Sequence, residues 1–160
     1  MVQRPPGGTL SLSLDLFGKQ ALFVQETAPF AAFVGGVGSG KTRGGVSKSI
    51  LFAARNPGSL NMVTAPTFPM LRDATLRTWF ELWPASRDQF LQTEMRLSLP
   101  NHSEILFRST DDPEHLRGPN LASFYMDEAS RSHHDAFQIL QGRLRQDGMP
   151  HQGWITTTPR

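Results

Sequence analysis

The chain has 160 residues, 38% apolar and 19% charged, enough for one compact domain with a core of its own. Sixteen basic residues against 14 acidic ones give a formal net charge of +2 with no long basic tract, so charge alone does not argue for nucleic acid. The absence of cysteine excludes a disulfide framework and a thiolate metal site, and no apolar run approaches the roughly 18 residues of a membrane-spanning helix.

Residues 1–9, rich in proline and glycine, read as a flexible leader. They lack the apolar core of a signal peptide, so an intracellular location is expected. Leu16 to Glu26 carries Leu16, Ala21, Leu22, Phe23 and Val24 and reads as a short helix. Phe30 to Val34 (FAAFV) is a short apolar run, the mark of a buried parallel strand. After a glycine-rich loop, Val46, Ile50 and Ala54 recur every four residues, as on the inner face of a helix. Gly44 and Gly45 within it suggest close packing on a sheet, and Asn56-Pro57-Gly58 stops it.

LNMVTA (Leu60 to Ala65) is a second strand, closed by Pro66. Phe68 to Phe80 reads as a helix with Met70, Leu71, Leu76 and Phe80 inward, ending at Trp83-Pro84. The period then changes to two: Met95, Leu97 and Leu99 alternate with polar residues, and Ile105 to Phe107 follows a turn, which predicts a β-hairpin insertion. Asp112 to Leu116 is one helical turn with Asp111 or Asp112 capping it. Ser123 to Met126 is a strand ending in Asp127-Glu128. His134 to Arg145 is a helix with Ala136, Phe137, Leu140 and Leu144 inward, and Trp154 to Thr158 is a last strand. Strands alternating with helices predict an α/β domain, a mostly parallel central sheet flanked by helices.

Two segments carry chemistry. Gly35-Gly36-Val37-Gly38-Ser39-Gly40-Lys41-Thr42 fits G-x-x-x-x-G-K-[ST], and the predicted strand before it and helix after it supply the context that motif needs. Its glycines let backbone N–H groups curl around phosphate. Lys41 can reach the β and γ phosphates, and Thr42 can place a hydroxyl on Mg²⁺; the helix dipole favours the charge. Asp127-Glu128 closes an apolar strand, where ligands sit in parallel sheets. Asp127 there can hold Mg²⁺ through water, and Glu128 can polarise a water for attack on the γ-phosphate of ATP. Without the loop, the same two acids would fit a solvated turn equally well. His133-His134 is not expected to bind metal, since adjacent helical side chains diverge. Trp79, Trp83 and Trp154 read as core or rim aromatics rather than base-stacking platforms.

With these pieces in order, the sequence resembles the N-terminal ATPase domain of the large terminase subunit of tailed bacteriophages, over roughly Phe17 to Pro159. The likeness is carried by GGVGSGKT, by TAPTFPMLRD (Thr64 to Asp73), by HLRGPNLASFYMDEA (His115 to Ala129) and by ITTTP (Ile155 to Pro159). The resemblance implies a P-loop NTPase fold of the additional-strand, catalytic-glutamate class. It implies ATP and Mg²⁺ as cofactors and hydrolysis that drives double-stranded DNA into a procapsid. It implies a homo-oligomeric ring on the portal, a small terminase subunit as partner, no membrane, and work in the host cytoplasm during virion assembly.

By position, the resemblance gives Lys41 and Thr42 phosphate and Mg²⁺, Asp127 the metal shell and Glu128 the attacking water. Arg117 becomes a finger inserted by a neighbouring subunit; its residues alone fit a surface arginine in a turn. Gln20 becomes the adenine-reading glutamine; by itself it is an exposed helix glutamine. Thr156, Thr157 and Thr158 become a coupling segment beside the γ-phosphate. Many large terminases carry an arginine inside the phosphate loop where this chain has Val37, so that role does not transfer; Arg43 is a possible substitute. Full members continue into a lid subdomain and a nuclease domain. Asp111-Asp112 and Asp127-Glu128 are the only adjacent acidic pairs, so no nuclease site is expected within 1–160. A different helicase-like ATPase, or a nucleotide-binding assembly module without turnover, remain the alternatives.

Overall fold

A computed structural model describes residues 2–3, 11–12 and 14–159. The leader expected over 1–9 lies outside these, apart from β1 (Val2–Gln3), which pairs antiparallel with β2 (Ser11–Leu12). The chain continues through α1 (Gly18–Gln25), β3 (Phe30–Val34), α2 (Lys41–Arg55) and β4 (Leu60–Ala65). A continuous helical segment follows: α3 (Phe68–Met70), a π-helical stretch (Leu71–Leu76) and α4 (Arg77–Leu82). Then come β5 (Phe90–Leu91), β6 (Arg96–Ser98), β7 (Glu104–Ser109), β8 (Ser123–Met126), α5 (His134–Gly142) and β9 (Gln152–Thr157).

Seven strands form one sheet in the order β3-β9-β8-β4-β7-β6-β5. The first five run parallel; β6 and β5 complete one edge antiparallel. The predicted hairpin is therefore a continuation of the main sheet, with β7 serving both as its return strand and as a parallel neighbour of β4. Alternation along the strands sorts the core into two layers. Val63, Ala65, Tyr125 and Trp154 face α2 and α4, while Met62, Phe124 and Met126 face α5 and the turn at Leu116. Trp79, Trp83 and Trp154 are all buried, as expected. Among the described residues no helix is long and apolar enough to cross a membrane.

Three expectations need correction. β3 is not buried on both faces: it is the edge strand, and Phe30 and Val34 are 43% and 58% exposed. An apolar run reports burial of the average strand; strand order lies beyond it. The last helix ends at Gly142 rather than Arg145, because the Arg143 carbonyl turns away to accept Leu121 N and Leu144 bridges to Leu121. His133 and His134 do not diverge: His133 is the N-cap of α5, outside helical geometry, and the two rings stack with centroids 4.9 Å apart.

Candidate nucleotide site

The phosphate loop leaves the C-terminal end of β3, and α2 begins at Lys41. Gly40, at the helix N-cap, has φ of 78°, a left-handed conformation that glycine adopts without strain. It has a second reason to be glycine. A Cβ there would overlap the Gln20 side-chain amide, which donates to the Gly40 carbonyl at 3.1 Å. Gln20 is thus buried, not an exposed helix residue; its Oε1 accepts Phe17 N while its Nε2 holds the loop. Lys48 ties α1 to α2 from the other side. Its ammonium donates to the carbonyls of Phe23, Val24 and Glu26 at the end of α1, and burial lowers its pKa below the usual lysine value.

One cleft of about 450 Å³ opens beside the loop at the C-terminal ends of the parallel strands, where Lys41, Thr42, Thr75, Asp127, Glu128 and Thr158 meet. Lys41 lies across the loop, donating to the Gly36 carbonyl at 3.1 Å, with Glu128 3.8 Å away. Glu128 holds φ 48° and ψ 49°, a left-handed conformation costing a non-glycine residue about 1–3 kcal/mol, of the kind that clusters at functional sites.

Asp127 is the hub. It is 2% exposed, and its carboxylate accepts from the hydroxyls of Thr42 (3.1 and 3.2 Å), Thr75 (2.7 Å) and Thr156 (2.8 Å) and from Glu128 N (3.0 Å). Thr156 spends its proton on Asp127, so the Tyr125 hydroxyl, 2.7 Å away, donates to Thr156. Burial, and then the Asp127 charge, push the Tyr125 phenol well above its usual pKa. Among the described residues no cationic side chain pairs with Asp127. A buried carboxylate facing a cleft without a counter-cation, beside a hydroxyl, is an all-oxygen donor set that suits Mg²⁺.

The three coupling threonines part company. Thr156 holds Asp127, Thr157 accepts Ser130 N at 3.1 Å, and only Thr158 lines the cleft. Arg117 lies elsewhere, in a groove along α5 with Arg143 and Arg145, where it donates to Glu114 at 2.9 Å. Val37 is 95% exposed at the loop apex and brings no charge. Arg43 lines the cleft but donates to the Asp15 carbonyl; Arg131, also in the cleft, has no side-chain partner among the described residues. Sequence reasoning missed Thr75 and Arg131, since neither falls in a motif; the TAPTFPMLRD segment, two residues short of Thr75, was the nearest signal.

A loop-strand-helix cradle for phosphate and a strand-end acid pair, on a sheet whose loop strand and acidic strand flank a third, define a P-loop nucleotide-binding protein. The profile described as phage terminase large subunit matches residues 28–160, and the chain belongs to that family. The fold is similar to the large terminase ATPase domain of Thermus phage P74-26, with a TM-score of 0.71 at 20% identity over 91% of this chain and 66% of that one. It is similar to the large terminase of a thermophilic bacteriophage solved with ADP (TM-score 0.71, 15% identity, 89% of this chain and 39% of that one). The HK97 bacteriophage large terminase gives a TM-score of 0.67 at 15% identity, over 91% of this chain and 33% of that one. The chain thus spans just under two thirds of the matched ATPase domain and a third to two fifths of these larger chains. No curated protein matches it by sequence.

Proposed function

We propose that this domain binds ATP with Mg²⁺ and hydrolyses it as the ATPase of a viral DNA-packaging motor. The convergence of Lys41, Thr42, Asp127 and Glu128 in one cleft supports this reading most strongly. Lys41 swings from the Gly36 carbonyl to the β and γ phosphates. Thr42 and Asp127 would hold Mg²⁺, the latter through water, and the metal would supply charge neutralisation at the phosphate oxygens. Glu128, at the cleft wall, orients and polarises the attacking water. Arg131 supplies the charge that Val37 lacks. A second cleft beyond the loop, lined by Phe17, Lys19 and Gln20, receives the base. Arg117, outside its own cleft, serves a neighbouring subunit in a ring. Double-stranded DNA, the portal and procapsid and a small terminase subunit are the partners, in the host cytoplasm during virion assembly. The matched chains that hold ADP and an ATP analogue support the nucleotide class.

The test is turnover and binding in Glu128→Gln, with DNA and procapsid present. The variant is expected to bind ATP as the parent does and to lose hydrolysis. Parental turnover in Glu128→Gln would assign the water to another residue. A parent that binds ATP but never hydrolyses it would favour an assembly module.

A further inference from the structure

We propose that Thr75 is a positioning residue for Asp127: its hydroxyl fixes the carboxylate so that one lone pair of Oδ2 stays free for a water of the Mg²⁺ shell. This rests on the nucleotide-site reading above. Thr75 is fully buried, and its 2.7 Å hydrogen bond to Oδ2 is the shortest that Asp127 receives. A threonine inside a helix ordinarily returns its hydroxyl to the carbonyl one turn back. Thr75 instead reaches across to the end of β8. The helix widens to π geometry over Leu71–Leu76, and the consecutive residues Thr75 and Leu76 are both buried. Such π stretches are rare and gather at functional sites.

The division of labour on the carboxylate gives the bond its use. Oδ1 is held by Thr156 and Glu128 N, and shared with Thr42. Oδ2 has only Thr42 and Thr75. The Thr42 hydroxyl divides its one proton between Oδ1 and Oδ2, and its oxygen would also serve the metal, so Thr75 is the only donor committed to Oδ2 alone. Without it, Oδ2 keeps only the shared Thr42 hydroxyl, and the carboxylate is less firmly preorganised for the outer shell of the metal.

Thr75→Val removes the hydroxyl at constant shape, and Thr75→Ser keeps it. ATP affinity is measured by calorimetry across a Mg²⁺ titration and in EDTA, beside thermal melting of each variant. Thr75→Val is expected to bind ATP in EDTA like the parent, and to need about tenfold more Mg²⁺ for half-maximal gain in affinity. Thr75→Ser is expected to restore the parental midpoint. An unchanged Mg²⁺ midpoint in Thr75→Val overturns the proposal. So does an equal loss with and without Mg²⁺, which marks a merely structural residue. If Thr75→Val does not fold, Thr75→Ser against Thr75→Ala makes the same comparison. A parent chain that binds no ATP at all fails the nucleotide-site reading itself, and the role of Thr75 falls with it.

Discussion

Gly44 and Gly45 are adjacent in α2, yet alanine at the two positions is expected to act in opposite directions. A Cβ on Gly44 would meet Phe23 at 3.7 Å, an ordinary contact. There the gain is the reduced freedom of the unfolded chain, about 0.5–1 kcal/mol in favour of alanine. A Cβ on Gly45 would lie 2.2 Å from Tyr125 Cζ and 2.4 Å from its Oη. Tyr125 is fully buried, its hydroxyl is committed to Thr156, and the Gly45 carbonyl accepts from Trp154 Nε1 and Ser49 Oγ. Neither side yields the ångström or so needed for contact without breaking a hydrogen bond. Overpacking of this kind costs about 1–3 kcal/mol. The two variants are therefore expected to differ by about 1.5–4 kcal/mol, with Gly45→Ala melting roughly 3–16 °C below Gly44→Ala for a domain of this size. Calorimetry on both, with the van't Hoff check for two-state unfolding, measures it. Equal melting temperatures would refute the close approach of α2 to Tyr125.

Two further outcomes are expected. Tyr125 is the only tyrosine, so phenolate absorbance reads it alone. Its pKa is raised in the fold, so the stability it contributes is complete below about pH 10, the unfolded value, and is lost as pH climbs above it. Absorbance should rise together with loss of helical dichroism; titration near pH 10 in a chain still folded would contradict its burial. Arg117→Ala should bind ATP like the parent and lose the hydrolysis gained on assembly, because Arg117 lies outside its own cleft. Weaker ATP binding by the monomeric variant would place it in its own subunit's site.

The contiguous parts were legible in the sequence: GGVGSGKT between a strand and a helix, and DE at a strand end. Each is a local pattern whose chemistry follows from residue type. What escaped was set by long-range order. FAAFV looks buried because its composition is apolar, but its place beside β9 alone leaves one edge and part of one face open. Gln20 could not be seen as buried, since its partner, the Gly40 carbonyl, is twenty residues away and belongs to a loop shape. Thr75 sits in an apolar helical pattern where threonine carries no signal. Its place on the buried side, four residues after Leu71, follows the helical period, but its partner on another element does not. Thr156 to Thr158 form one run in the sequence, whereas strand alternation assigns its members to different partners.

Asp127 joins the elements that surround the cleft. Its carboxylate is held by side chains from α2, from the π stretch and from β9, and it directly follows β8. Three of those elements begin with, or lead directly into, a residue that lines the cleft: Lys41 at the start of α2, Glu128 after β8, Thr158 after β9. The left-handed backbone at Glu128 is kept by the same convergence, since Glu128 N donates to Asp127 and Ser130 N donates to Thr157. A shift of any one element changes the hydrogen bonds of the metal-side carboxylate, and through it the aim of Glu128. On the proposed reading as a motor ATPase, this shared carboxylate would link nucleotide state to β9 and to the helix carrying Thr75.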